Sequence, residues 1–242
     1  METNFNNKAT VEEIRERFEH DVERFSNLET GQKAIPDAPL MMELITRAAA
    51  ACTPNAKSVL DIGCGGGNNT LKLLELINPL DCYLLDLAKA MTERAHERVS
   101  KINKGNTIVV NEDIRTADLP EGKFDIIIAA AVLHHLRSDS DWENVFTKIY
   151  RLLAPGGGIW ISDLFIHENQ SVQNILWEKY GEYLMATGGN EMKKKAFDAI
   201  EREDTPRPIT YQIELLRKIG FSKIDILHKT TSFAAYGAVK PL

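Results

Sequence analysis

The stretch that most limits what this chain can fold into is Ser58-Val-Leu-Asp-Ile-Gly-Cys-Gly-Gly-Gly-Asn-Asn-Thr70. Val59, Leu60 and Ile62 form a short apolar run that reads as a buried strand. Gly63, Gly65, Gly66 and Gly67 end it, and Leu71, Leu73, Leu74, Leu76 and Ile77 then recur at helical spacing. A strand that feeds a glycine turn and then a helix opens an α/β nucleotide-binding unit. Asp61, at the carboxyl end of the strand, aims a negative charge at the ligand, which a phosphate would oppose.

The same rhythm continues. Cys82-Tyr-Leu-Leu-Asp86 reads as a second strand ending in an acid, about 20 residues beyond the loop, where a dinucleotide fold places its ribose-binding carboxylate. A helix is expected over 88–103, a third strand at Thr107–Asn111 followed by Glu112-Asp113-Ile114, and a fourth, apolar throughout, at Phe124–Ala130. Ala131-Val-Leu-His-His-Leu136 leads to a helix over 139–153, stopped by Ala154-Pro-Gly-Gly-Gly158, and a fifth strand at Ile159–Asp163. The alternation then pauses for two helices over 168–203, parted at Thr187-Gly-Gly-Asn190. Ile209–Ile219 is a helix closed by Gly220, and the last two strands lie near 224–227 and 232–239. Their connection is too short for a parallel crossover, so the final strand pairs antiparallel with its predecessor or leaves the sheet.

Ahead of the glycine unit, Val11, Ile14, Phe18, Val22 and Phe25 predict one amphipathic helix over 9–27, with Thr10 and Glu13 as a capping box. A loop at 26–39 follows, its bordering residues Arg24, Phe25, Gln32 and Asp37 able to fold over a ligand, and then a helix over 39–51. The expected organisation is N-terminal helices forming a lid over 1–54 and one α/β domain over 55–242, with the helical insertion at 168–203 completing the lid. A net charge of -6 gives no global basic field for nucleic acid. Cys52, Cys64 and Cys82 are odd in number and lack CxxC spacing, so neither a disulfide framework nor a zinc site is indicated. No apolar run is long enough to span a membrane, and the start carries no signal-peptide core; a reduced, cytoplasmic setting is expected.

On these residues the chain resembles the class I S-adenosylmethionine-dependent methyltransferases, by motif over roughly 55–165 and by layout over 205–240. The resemblance implies a Rossmann-like fold: a seven-stranded, mostly parallel sheet with an antiparallel last strand. It implies S-adenosyl-L-methionine as cofactor, with Asp61, Gly63, Cys64 and Gly65 against its methionine part. It likewise implies that Asp86 and the neighbouring Leu87 lie at the ribose, Asp113 and Ile114 at the adenine, and Ala130 at the methyl-transfer face. A phosphate-free, cationic cofactor suits carboxylates at successive strand ends. The competing nicotinamide or flavin reading needs a glycine where Asn68 stands and tolerates Asp61 poorly.

The remaining candidates are weaker. His134 and His135 are candidate catalytic residues. No metal is expected there, since adjacent histidines at such a turn point in different directions and no Cys/His/Asp cluster accompanies them. Tyr180 and Tyr183, and Arg207 and Tyr211, are candidate contacts to the acceptor; core packing and a solvated arginine are the competing readings. The last segment and the inserted helices are also similar to the carboxy-S-adenosylmethionine synthases of tRNA wobble-uridine modification. Those enzymes hold an extra carboxylate with an arginine whose matching position here is Leu215. The reading therefore favours methyl transfer to a small-molecule acceptor. A tRNA pathway and a non-catalytic cofactor-binding role are the alternatives; no membrane partner is expected, and a homodimer is suggested by the similar enzymes.

Overall fold

Strand β1 (Ser58–Ile62) is buried at every position, as a strand covered on both faces must be, and the sheet grows outward from it in both directions. This computed structural model describes residues 7–242. On one side lie β2 (Asp81–Leu85) and β3 (Thr107–Val110). On the other lie β4 (Phe124–Ala130), β5 (Leu153–Leu164), β7 (Phe233–Val239) and β6 (Ser222–Thr230), giving the order β3-β2-β1-β4-β5-β7-β6. The first five strands run parallel, while β7 is antiparallel to both β5 and β6. The short link after Thr230 thus closes as a hairpin whose second strand slots between its partner and β5. The chain leaves β1 toward β2 and returns through β4, so the switch point lies at the carboxyl ends of β1 and β4, where open α/β sheets bind ligands.

Helices cover both faces. α7 (Asp139–Leu152) buries Trp142, Val145, Phe146, Ile149 and Leu152, one stripe at 3.6-residue spacing, behind a Ser138–Asp141 capping box. It joins α9 (Ile209–Ile219) and the sheet in one apolar cluster. The opposite cluster takes α4 (Ala38–Cys52), α5 (Asn68–Leu74) and α6 (Lys89–Ser100). α4 therefore packs on the sheet through Met41, Ile45 and Ala49, although the sequence reading groups it with the lid.

Three local expectations need correction. The single N-terminal helix is broken into α1 (Val11–His20) and α2 (Val22–Ser26), because at Asp21 the amide bonds Phe18 O, a tighter turn than the α-helix allows. The loop at 26–39 holds a further turn, α3 (Leu28–Gly31), capped by Asn27 Oδ1 on the amide of Glu29 at 2.8 Å. The Ala154–Gly158 segment is not a turn ahead of β5 but an irregular first part of it, where the register with β4 shifts. The insertion is α8 (Gln170–Glu203), two helical stretches joined across non-helical Gly188 and Gly189, as the sequence implies. No helix among the described residues is long and apolar enough to cross a membrane.

Candidate active site

The loop after β1 is shaped by what presses on it. Gly63 sits at φ +67, and a Cβ there would lie 2.6 Å from Val132 Cγ2 in the turn after β4. At Gly66 a Cβ would lie 2.8 Å from Ser26 Cα, on the N-terminal helices. Glycine is required at both, once by conformation and once by close approach. The open face of the loop belongs to Gly65, whose amide donates to Asp86 Oδ2 at 2.9 Å. The other Asp86 oxygen accepts from the amide of Ala88 at 3.0 Å. Burial pushes the Asp86 carboxyl up to about 6, against these two hydrogen bonds and with help from the nearby charge of Glu19.

Asp61 is fully buried beneath the loop rather than on the cavity wall. Its Oδ2 accepts from Thr70 Oγ1 at 2.7 Å, and its Oδ1 has no partner among the described residues. Burial raises its pKa to about 7. Cys64 is buried and its thiol is pushed well up by burial, with Asp86 and Asp61 adding to it, so it is a filler and not a nucleophile. Asp113 is engaged by Arg115, whose Nε lies 3.0 Å from both carboxylate oxygens and whose amide donates to Oδ1 at 2.8 Å. Burial alone would raise the Asp113 pKa; the Arg115 hydrogen bonds hold it below the ordinary value.

These groups open onto one cavity of about 710 Å³. Gly63, Cys64, Gly65, Asp86, Leu87, Asp113, Ile114 and Ala130 all line it, and so do His134, His135 and Tyr180. Its roof comes from α1, α2, the loop to α4 and the second half of α8. The roof is tied down at several points. Glu19 accepts from the amides of Lys89 and Ala90 at 2.8 and 2.9 Å, capping the first turn of α6 just beyond Asp86. Arg17 pairs with Glu203 at 2.6 Å, and Tyr180 and Tyr183 donate to the carbonyls of Ala34 and Lys33. Arg24, Phe25 and Gln32 reach the cavity, whereas Asp37 turns away to His228 Nε2 at 2.9 Å.

The far end is built around His134 and His135. They do not diverge, contrary to the sequence reading: their ring centroids lie 4.3 Å apart, and Asp204, just after α8, meets both. His135 Nδ1 is 3.1 Å from Asp204 Oδ1. His134 Nδ1 bonds Asp163, at the end of β5, and its Nε2 lies 3.7 Å from Asp204. Burial would lower the His134 pKa, but Asp163 and Asp204 outweigh it and lift it to about 9. The turn that holds this pair passes through Ala131 at φ +52, a conformation rare outside glycine.

Three acceptor candidates fall outside the cavity. Arg207 spends its guanidinium on Asp139 at 2.7 Å and on the carbonyls of Thr205 and Arg137, clamping the approach to α9. Tyr211 packs edge-on to Trp142 in the sheet-side core. Tyr183 packs in the opposite cluster. Sequence reasoning missed Glu19, Arg17, Arg137, Asp163, Glu203 and Asp204. The one available signal was Asp163 at a fifth strand end, the same position that singled out Asp61 and Asp86.

Residues 59–157 match a family model described as a methyltransferase domain. Curated carboxy-S-adenosyl-L-methionine synthases are similar to this chain. The Vibrio atlanticus protein is 24% identical over 213 residues, covering 86% of this chain and 87% of its own. The Vibrio vulnificus protein is 26% identical over 216 residues, covering 86% of each. Among solved structures, the Burkholderia thailandensis 1,6-didemethyltoxoflavin-N1-methyltransferase, with its namesake ligand and S-adenosylhomocysteine bound, superposes with a TM-score of 0.63 at 18% identity, covering 95% of this chain and 88% of that one. Human N-acetylserotonin methyltransferase in complex with S-adenosylmethionine gives a TM-score of 0.55 at 19% identity, covering 96% and 68%. The residues present suit that cofactor: Asp86 has raised proton affinity on the cavity wall, and behind the loop Asp61 keeps a buried oxygen unpaired, an arrangement that favours a cationic ligand over a phosphate. The matched segment is thus a methyltransferase domain, and the sheet order and superpositions give the chain a Rossmann-like methyltransferase fold.

Proposed function

We propose that this chain transfers the methyl group of S-adenosylmethionine to a small-molecule acceptor held at the His134–His135 end of the cavity. The observation that carries the reading is enclosure: one roofed cavity joins the strand-end carboxylates to the histidine pair. Its size is that of a small-ligand pocket.

In this reading Asp86 accepts from the ribose hydroxyls with the lone pairs that Gly65 and Ala88 leave free, since a carboxylate offers about four such sites. Asp113 and the amide of Ile114 meet the adenine edge, with Arg115 holding the carboxylate in place. Gly63, Cys64, Gly65, Leu87 and Ala130 form the wall, and Asp61 acts from beneath the loop on the amino-acid end. When bound, the cofactor supplies a methyl group made electrophilic by its sulfonium. The chain's own contribution is to align the acceptor with that carbon and exclude water. The His134–His135–Asp204 cluster manages the acceptor's proton or charge. Tyr180 shapes the wall, its hydroxyl being already given to Ala34; Tyr183, Arg207 and Tyr211 are not assigned to the acceptor.

Carboxy-S-adenosylmethionine synthesis, and with it a tRNA pathway, is the second reading, favoured by the curated relatives. Against it, Leu215 is buried in the sheet-side core and does not line the cavity. A leucine there offers no partner for a carboxylate. The test is transfer of labelled methyl from S-adenosylmethionine into small-molecule and tRNA fractions, with mass spectrometry of the cofactor that copurifies. Label in small molecules supports the proposal. A copurified cofactor heavier by a carboxylate would replace it with the second reading.

A further inference from the structure

At the acceptor end three donor atoms from two distant stretches of chain converge. His134 and His135 come from the turn after β4, and Asp204 from the residue after α8. Each offers one nitrogen or oxygen, all within 4.8 Å of one another. Asp204 Oδ1 is 3.1 Å from His135 Nδ1 and 3.7 Å from His134 Nε2. A first-row cation bonded to such donors at about 2.0–2.2 Å sets neighbouring ligands roughly 3 Å apart, so the Asp204 pairs are already near that spacing and the set closes from within 4.8 Å. All three residues line the cavity.

A second, independent observation concerns the groups behind them. Asp163 is 3% exposed and accepts from the amides of Leu133, His134 and Leu164 at 2.8, 3.2 and 2.7 Å, as well as bonding His134 Nδ1. Those donors fill its lone pairs. They also fix the imidazole with Nε2 toward Asp204 and the cavity. A carboxylate behind a histidine in this way orients metal-ligating imidazoles.

We propose that His134, His135 and Asp204 hold a divalent first-row transition cation whose remaining positions face the acceptor. Two imidazoles and one carboxylate favour zinc, cobalt, nickel or ferrous iron over magnesium or calcium. The location of the acceptor rests on the methyl-transfer reading; the cation site itself does not. Together they name an acceptor class: a hydroxyl or enol flanked by a second oxygen or nitrogen, able to chelate. The cation lowers the pKa of the bound hydroxyl, and its proton leaves to solvent. The oxygen then forms a bond to the methyl carbon as the carbon–sulfur bond breaks, and the sulfur keeps that electron pair as a neutral thioether.

The test is calorimetric and spectroscopic titration of the chelator-treated full chain with cobalt(II) and zinc(II), together with S-adenosylmethionine affinity on the same preparation. The expected result is one saturable site. Asp204→Asn and His135→Ala should each weaken it at least tenfold, Asp163→Asn should weaken it 10–100-fold, and Asp204→Glu should retain it. Absence of saturable binding overturns the proposal, as does binding insensitive to these substitutions or a cobalt spectrum with thiolate charge transfer, which would place the ion on exposed Cys52. Loss of cation binding with intact cofactor binding overturns this inference alone. Cation binding without methyl transfer to any chelating acceptor overturns the functional reading and leaves the cation site standing.

Discussion

The two ends of the cavity are held by different means. At the end floored by β1 and β2, the carboxylate of Asp86 is fixed by backbone amides of two adjacent βα units, Gly65 after β1 and Ala88 after β2. At the other end, His134 and His135 owe their positions to side chains from far along the sequence, Asp163 and Asp204. The roof over both comes from residues before β1 and from α8. The first end is therefore complete once the sheet has formed. The second is complete only when α8 and the N-terminal helices have docked, and elements with few backbone ties to the sheet open at lower cost.

The sharpest way to break this contrast is to deform the rigid end. Gly63→Ala forces a side chain into the left-handed region and against Val132 Cγ2, and we expect a loss of about 2–4 kcal/mol in denaturant unfolding from backbone strain and overpacking together. Adding Val132→Ala should recover the packing part only. An unchanged midpoint would mean that the turn after β4 yields freely and that the rigid end is not rigid. Next in size, Asp86→Ala should weaken S-adenosylmethionine binding by about 1–3 kcal/mol, the range for hydrogen bonds to a charged group. Calorimetry showing full affinity would place the ribose elsewhere.

What could be read in the sequence divides along the same line. Val59, Leu60 and Ile62 before four glycines, followed by Asp86 and Asp113 at the next strand ends, are local signals. Each depends on residues within one βα unit, so periodicity and turn chemistry expose them. The short link before β7 was legible for the same reason: two or three residues exclude a parallel crossover, and of the two remaining outcomes the chain takes the antiparallel hairpin. Asp204 carries no local signal. It is one acid among many after a long helix, and only the docking of α8 brings it to His135. Arg207 misled in the opposite sense, since an arginine between two prolines looks free until Asp139 and the Arg137 carbonyl are seen to occupy it. The packing of α4 on the sheet is a tertiary effect of this kind too.

The buried acid under the loop gives a comparison in pH rather than in space. Asp61 has a pKa of about 7 in the fold, above its ordinary 3.8, so between these values the folded chain binds more protons than the unfolded one. Its contribution to stability of the ligand-free protein is therefore fully present at low pH and is lost as pH rises through 7. Under the proposed reading cofactor binding runs the other way, because there the ionised carboxylate acts on a cationic amino-acid end. We expect affinity to fall about tenfold from pH 8 to pH 6, while the ligand-free midpoint does not fall with it. Asp61→Asn should flatten both profiles. Parallel pH trends in affinity and stability would mean that Asp61 has no dealings with the cofactor.

The smallest effect tests the roof directly. Glu19 bridges the ends of the contrast: it belongs to the N-terminal helices, yet it caps α6 immediately after the Asp86 strand end and its charge adds to the raised Asp86 pKa. Glu19→Ala removes the cap and should cost about 0.5–1.5 kcal/mol of stability. If the roof must open to release the cofactor, the same variant should speed cofactor dissociation several-fold in stopped-flow measurements. Glu19→Gln separates the two roles. Its amide oxygen still accepts one of the two amides but it carries no charge, so it should keep most of the slow release. It should also let Asp86 ionise at lower pH, shifting the pH dependence of binding down. Equal dissociation rates for wild type and both variants would mean that release does not pass beneath α1, and that the roof is as fixed as the floor.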